Sequence, residues 1–138
     1  MENPLLELQE YENLQEALKK AKGPVQATGT LDSQKVHLMY WLGKDGGFPW
    51  KLVVTYDDQR AREIYDDFRS FTENVWLYPA KDLLFYSADI HGNLLTRERL
   101  QVLRHLMEDQ NGVVVTTMDG LMDHLLPLQY LKEQAITV

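Results

Sequence analysis

The sequence predicts an α/β fold of three layers, with a mainly parallel sheet flanked by helices. Short runs rich in β-branched residues alternate with segments whose apolar residues recur every three or four positions. Strands separated by helix-length segments are typical of parallel sheets. At 138 residues the chain has the size of one domain with its own core.

Composition narrows the functional classes. Hydrophobic residues make up 44% and charged residues 25%, as in ordinary globular proteins. The net charge of −7 argues against broad, non-specific binding of nucleic acid. The absence of cysteine excludes disulfides and thiolate metal sites. Without a basic segment before an apolar run, and without a run of about 18 apolar residues, we expect a cytoplasmic protein that does not contact the membrane.

The N-terminal part is predicted to hold a helix, a strand and a second helix. Apolar residues recur at helical spacing from about Pro4 to Lys22, and Gly23-Pro24 ends that helix. Residues 25–28 are predicted to form a short strand, and the next helix runs from about Ser33 to Lys44. We divide the chain into an N-terminal helix (1–22) and an α/β subdomain (23–138).

The middle of the chain predicts a buried strand at 52–54 and a helix capped by Asp57 or Asp58. The core face of that helix is predicted to comprise Ala61, Ile64, Tyr65, Phe68 and Phe71. A third strand is expected at 75–77.

The last part begins with an irregular segment at 79–93. Thr96 is predicted to cap a helix whose core face carries Leu100, Leu103, Leu106 and Met107. A strand at 113–116 follows, and Thr117 is expected to cap a short helix. Further segments are predicted after Pro127 and as a strand at 135–138.

A candidate phosphate-binding loop lies between the strand at 25–28 and the next helix. Its sequence is Gly29-Thr30-Leu31-Asp32-Ser33-Gln34-Lys35-Val36, to be compared with G-x-x-x-x-G-K-[ST]. Gly29 and Lys35 match the motif. Gln34 replaces the second glycine, and Val36 replaces the hydroxyl residue that holds Mg²⁺.

We expect this degenerate loop to bind no functional cofactor. A side chain at position 34 costs about 1–2 kcal/mol if the backbone must be left-handed. At about 4 Å and an effective dielectric near 20, Asp32 would repel a phosphate by roughly 4 kcal/mol per unit charge, about what Lys35 returns. The alternative, a nucleotide-binding or ATP-hydrolysing lobe with a variant phosphate loop, stays open because Gly29 and Lys35 are present.

No catalytic or metal-binding set is expected elsewhere. Asp57 and Asp58 follow a strand, but they fit a helix cap better than a metal site. Asp89 and His91 are close in sequence, with no nucleophile nearby. The histidines share no ligand spacing; they are His37, His91, His105 and His124. We therefore expect no enzymatic activity from this chain.

Two aromatic groups are candidate contact surfaces. The first, which could stack on single-stranded bases or cover the edge of the sheet, comprises Tyr78, Phe85, Tyr86 and Lys81. The second is predicted to be an exposed apolar patch that meets another domain or protein, and comprises Trp41, Phe48 and Trp50.

An ordered set of segments resembles one family. The set comprises residues 28–35, Leu52-Val53-Val54 followed by Ala61-x-x-Ile64-Tyr65-x-x-Phe68, Pro79-Ala80-x-Asp82-x-Leu84-x-Tyr86, Arg99-Leu100-x-x-Leu103-x-x-Leu106, and Val113-Val114-Val115-Thr116. In order and spacing it resembles the N-terminal, UvrB-like module of transcription-repair coupling factors (Mfd). The resemblance covers nearly the whole chain after the first helix.

The resemblance implies the first subdomain of that module, with the fold of a helicase motor lobe that has lost nucleotide hydrolysis. In this family the module contacts UvrA, mostly through the following subdomain, during transcription-coupled DNA repair. The full-length family protein is an ATP-dependent DNA translocase that acts on RNA polymerase and DNA. Since a predicted strand ends at the last residue, we expect the chain to be a piece of a longer protein, with UvrA and the parent protein's other domains as partners.

Overall fold

The computed structural model describes residues 2–80 and 89–123, with 89–95 described through their backbone alone. A 3-10 turn (Pro4–Glu7) precedes the first helix. The helices are α1 (Gln9–Lys20), α2 (Asp32–Asp45), α3 (Asp58–Arg69), α4 (Asp89–Glu108) and α5 (Met118–Met122). The strands are β1 (Trp50–Thr55), β2 (Val75–Tyr78) and β3 (Gly112–Thr117). None of the helices in these ranges has the length and apolar character needed to cross a bilayer.

The three strands form a parallel sheet in the order β1-β3-β2. β3 pairs with β1 from Trp50↔Gly112 to Thr55↔Thr117, and with β2 from Val75↔Val113 to Tyr78↔Thr116. Every residue of β3 is buried, because strands lie on both of its sides. The predicted α/β class with a parallel sheet is confirmed.

Helices α2 and α3 cover one face of the sheet. The predicted stripe of α3 is confirmed, with Ala61, Ile64 and Phe68 buried against Val113 and Val115 of the central strand. The predicted cap of α3 is also confirmed, since the Asp57 carboxylate accepts a 2.7 Å hydrogen bond from the backbone N–H of Arg60.

Helix α4 packs on the opposite face, which gives the predicted three layers. Its residues Val102 and Leu103 are buried with Tyr78 and Val114. The core face predicted for this helix is partly wrong, because Leu100 and Leu106 are exposed. The buried side chains among residues 96–108 are instead Arg99, Val102 and Leu103.

Strand β1 is less buried than predicted. Leu52 is 59% exposed and Val54 is 38% exposed. Both side chains point to the face on which α4 packs, and α4 packs mainly against β2 rather than β1. The prediction of a buried strand is therefore wrong for this face of β1 within the described residues.

Two predicted boundaries are also wrong. Residues 25–28 form no strand, and three of the four are exposed, including Ala27, the second apolar residue of the segment. Thr96 lies inside α4 rather than capping it, since the helix already begins at Asp89 within the segment predicted to be irregular. The segments predicted after Pro127 and at 135–138 lie outside the described residues.

Candidate functional site

The loop at 29–36 lies beside the carboxyl edge of the sheet. Gly29 has φ +83°, a left-handed turn that glycine adopts at little cost, and α2 then begins at Asp32. A guanidinium nitrogen of Arg60 lies 3.4 Å from the carboxylate of Asp32. Arg60 is in the first turn of α3, which follows the carboxyl end of β1. Ligands of open parallel sheets gather at this edge.

The basic groups of the loop are already engaged by carboxylates. Lys35 Nζ donates a 2.7 Å hydrogen bond to Oδ1 of Asp32, and Arg60 donates one of 2.9 Å to Glu63. The hydrogen bond from Lys35, the charge of Lys35 and the charge of Arg60, in that order, hold the pKa of Asp32 below its usual range. A phosphate entering the loop would therefore compete with Asp32 for its cations.

The two departures from the phosphate-loop motif have distinct structural roles. The Gln34 side chain accepts a 3.3 Å hydrogen bond from the backbone N–H of Leu31. Val36 is 1% exposed and packs in the core shared with Ile64 and Phe68. Position 36 therefore faces the core, and the strand that precedes a phosphate loop is absent from residues 25–28.

A buried arginine that was predicted only as part of a helical segment lies at the same edge of the sheet. Arg99 Nε donates a 2.7 Å hydrogen bond to the carbonyl oxygen of Pro79, and its guanidinium forms an ion pair with Asp123. The guanidinium carbon also lies 5.0 Å from the centre of the Tyr78 ring. Arg99 thus joins α4 to the end of β2 and to the residue after α5. In the sequence, Arg99 stood out only as the residue before the predicted core face and as the first residue of a segment that carries the resemblance.

Tyr78 is not available for base stacking. It is 7% exposed, and burial raises the pKa of its phenol while the charge of Arg99 opposes that rise. The ring packs in the core with Val102 and Leu103 of α4. The other members of the predicted group, Lys81, Phe85 and Tyr86, lie outside the described residues.

The two histidines whose side chains are described, His37 and His105, contact different residues and do not form a common site. His37 stacks on Phe71 with ring centres 5.4 Å apart. His105 stacks on Trp76 at 4.5 Å, and its Nδ1 lies 2.8 Å from the carboxylate of Asp109. Within residues 2–80 and 89–123, no three acidic or histidine side chains are grouped as metal ligands would be. The side chain of His91 and the whole of His124 lie outside the described part.

The predicted aromatic patch is wrong for one of its three members. Trp41 is 2% exposed, because it lies on the inward side of α2 beside Tyr40. Phe48 is 57% exposed, and Trp50 is partly covered by Trp76, with ring centres 5.6 Å apart. A continuous patch of three aromatic rings is therefore not formed.

Comparison of the chain with family models, with curated proteins and with solved structures gave no match. The resemblance to transcription-repair coupling factors accordingly depends on the ordered segments of the sequence.

Proposed function

We propose that this chain is a non-catalytic framework and protein-binding domain. In this proposal it is the first subdomain of the UvrB-like module of a transcription-repair coupling factor, and it helps that module to recruit UvrA in DNA repair. The proposal draws its family from the ordered sequence segments. The observation that carries its non-catalytic part is the engagement of Lys35 by Asp32 at 2.7 Å.

The loop chemistry supports this proposal. Lys35 would have to leave Asp32 in order to contact a triphosphate. The carboxylate of Asp32 would then lie beside the phosphates with Arg60, 3.4 Å away, as its remaining cation. The residue after Lys35 is the buried Val36, so a hydroxyl there would be directed into an apolar core rather than toward a metal. Burying an unpaired hydroxyl costs about 1–3 kcal/mol by mutational measurements.

The layered architecture is compatible with a degenerate motor lobe. The parallel sheet has helices on both faces, and the loop, Arg60 and Arg99 lie near its carboxyl edge. Arg99, the charged group buried at this edge, is satisfied by Pro79 and Asp123. Such an arginine stabilises the framework instead of offering a free cation to a ligand.

Capture of UvrA tests the partner. Purified UvrA is passed over this 138-residue chain and over the same chain extended past Val138 through the following subdomain, both immobilised at equal density. We expect the extended form to capture UvrA and the short form to capture less, since the resemblance assigns most of the contact to the following subdomain. Absence of capture by both forms would refute the recruitment role.

The second candidate is a nucleotide-binding lobe with a variant loop. The left-handed Gly29 followed by a helix with Lys35 near its start, at the carboxyl edge of the sheet, favours it. Calorimetry with Mg-ATP separates the two candidates. Binding tighter than about 100 µM, or about 5.5 kcal/mol, that weakens in Lys35→Ala would support the second candidate.

Lys20→Ala is the matched control for that titration. Lys20, like Lys35, is an exposed lysine in a short helical ion pair, with Glu16 at 3.2 Å, but it lies on α1. The framework proposal expects no difference between the two variants. It also expects that Gln34→Gly combined with Val36→Thr gives no ATP turnover, because Asp57, which follows β1, caps α3 and because β3 ends in threonines. Measurable turnover would contradict this expectation.

A further inference from the structure

A groove of about 460 Å³ lies at the amino edge of the sheet, opposite the loop at 29–36. The end of α2, the turn before β1 and the chain entering β3 form its walls. The residues that give it chemical character are Tyr40, Lys44, Phe48, Lys51, Asn74 and Asn111. None of the described residues that line it is acidic, although the chain as a whole carries a net charge of −7.

Lys51 is a cation without a counter-ion in this groove. Its stem packs on Gly43 so closely that a Cβ built at position 43 would lie 2.5 Å from the Lys51 Cε. Its ammonium forms no hydrogen bond or ion pair within the described residues. Burial lowers the pKa of Lys51, and no nearby carboxylate offsets that effect.

Lys44 supplies a second cation. Its Nζ lies 4.9 Å from the centre of the Trp41 ring and 5.8 Å from that of Tyr40. Aromatic faces hold an ammonium in place without neutralising its charge. Among the described residues Lys44, like Lys51, has no carboxylate within ion-pair distance. Among the described residues, the groove therefore holds two lysines that form no ion pair.

The remaining groups fit a phosphate ester. Asn74 donates a 3.1 Å hydrogen bond to Oδ1 of Asn111, which leaves the amide NH₂ of Asn111 without an acceptor among the described residues. Phe48, 57% exposed, offers an aromatic face at the mouth. Ammonium groups and amide donors bind phosphate oxygens, and the volume is that of a small-molecule site.

We propose that this groove binds a small phosphate-bearing ligand through Lys44, Lys51 and the amide of Asn111. The site is separate from the loop at 29–36 and does not depend on the UvrA-recruiting role. Any nucleotide bound here would give a calorimetric signal that Lys35→Ala does not reduce.

The test is an NMR titration of the ¹⁵N-labelled chain at constant ionic strength, first with inorganic phosphate and then with AMP, both without Mg²⁺. We expect shifts of the backbone amides at 43–51, 72–74 and 110–113. If AMP binds more tightly than phosphate, the groove contacts the ring of the nucleoside as well as the phosphate. Equal affinities would mean that it contacts the phosphate alone.

Charge-removing variants locate the site. Lys51→Gln should weaken binding about tenfold, as expected when one charge-assisted hydrogen bond is lost. Lys44→Gln, at an exposed position where folding is not at risk, should weaken it in the same direction. Lys20→Gln, on α1, is the control and should bind as the unaltered chain does. The proposal would be overturned by shifts confined to 29–36 or by unchanged affinity in both groove variants. It would also be overturned by the absence of shifts at about 10 mM ligand, a concentration at which only binding weaker than about 3 kcal/mol goes undetected.

Discussion

Replacing Arg99 with methionine should destabilise the fold more than any surface charge change. The Arg99 side chain is 7% exposed, and it holds together three elements that are distant in sequence: α4, the end of β2 and the residue after α5. Methionine has a stem of similar length, so the substitution removes the guanidinium and preserves most of the apolar contact with Tyr78.

The size of the loss follows from the two partners left behind. The buried carbonyl of Pro79 loses a hydrogen bond from a charged donor, a contribution of about 1.5–3 kcal/mol. Asp123 retains a 26% exposed side chain, so water can solvate its carboxylate in part and the full 3–5 kcal/mol of a broken buried pair is not reached. We expect a decrease of about 3 kcal/mol in the free energy of unfolding.

Urea denaturation at pH 7, followed by far-UV circular dichroism, measures this decrease. Arg104→Met is the control: Arg104 is on the same helix, 70% exposed, and paired with Glu108 at 3.0 Å. It should lose less than about 0.5 kcal/mol. If Arg99→Met falls within about 1 kcal/mol of the unaltered chain, the cost assigned here to the loss of its contacts with Pro79 and Asp123 is wrong.

Three further predictions concern stability. Burial, then the hydrogen bond to Asp45, raises the pKa of the Tyr11 phenol from 10.0 to about 12. Between pH 10 and pH 12 the folded chain therefore keeps a proton that the unfolded chain releases. The contribution of Tyr11 to the free energy of unfolding is constant below pH 10 and falls by about 1.4 kcal/mol per pH unit towards pH 12. Urea denaturation across this range should show that Tyr11→Phe lacks this part of the decrease. Gly112→Ala would place a Cβ 2.2 Å from Trp76, and should lower the free energy of unfolding by about 1–3 kcal/mol and change the near-ultraviolet circular dichroism of the tryptophans. A wild-type spectrum would contradict the close approach. Asp57→Ala removes the cap of α3 and should cost about 1 kcal/mol in the same assay, whereas Asp58→Ala, in the first turn, should cost less.

Elements with a local cause were predictable from the sequence. The α3 stripe and its Asp57 cap lie within one helix, and the β-branched run of β3 fits a strand that is buried along its length. Thr117 was expected to cap a helix, and its hydroxyl accepts a 3.1 Å hydrogen bond from the N–H of Gly120. In each case the residues that make the structure are neighbours along the chain.

Features that depend on distant contacts were not predictable. Val25 to Thr28 has strand-like residues but pairs with no strand in the described chain, and Thr96 resembles a cap although α4 continues through it. At the candidate loop, the spacing of Asp32 and Lys35 indicated competition for charge, but nothing near it indicated that Arg60 of α3 would lie 3.4 Å from Asp32. The groove around Lys51 is formed by segments that are far apart in the sequence, including β1 and the start of β3, so no local pattern indicated it.

The central strand of the sheet is the last of the three to be synthesised. β1 and β2 each pair with β3 and not with each other, so a nascent chain that ends before Gly112 contains neither strand pair. Before β3 is synthesised, β1 and β2 lack the strand that lies between them, although α3, which contacts both, is already present in the chain. We therefore expect the sheet to form only after β3 has been synthesised, because both of its strand pairings need that strand.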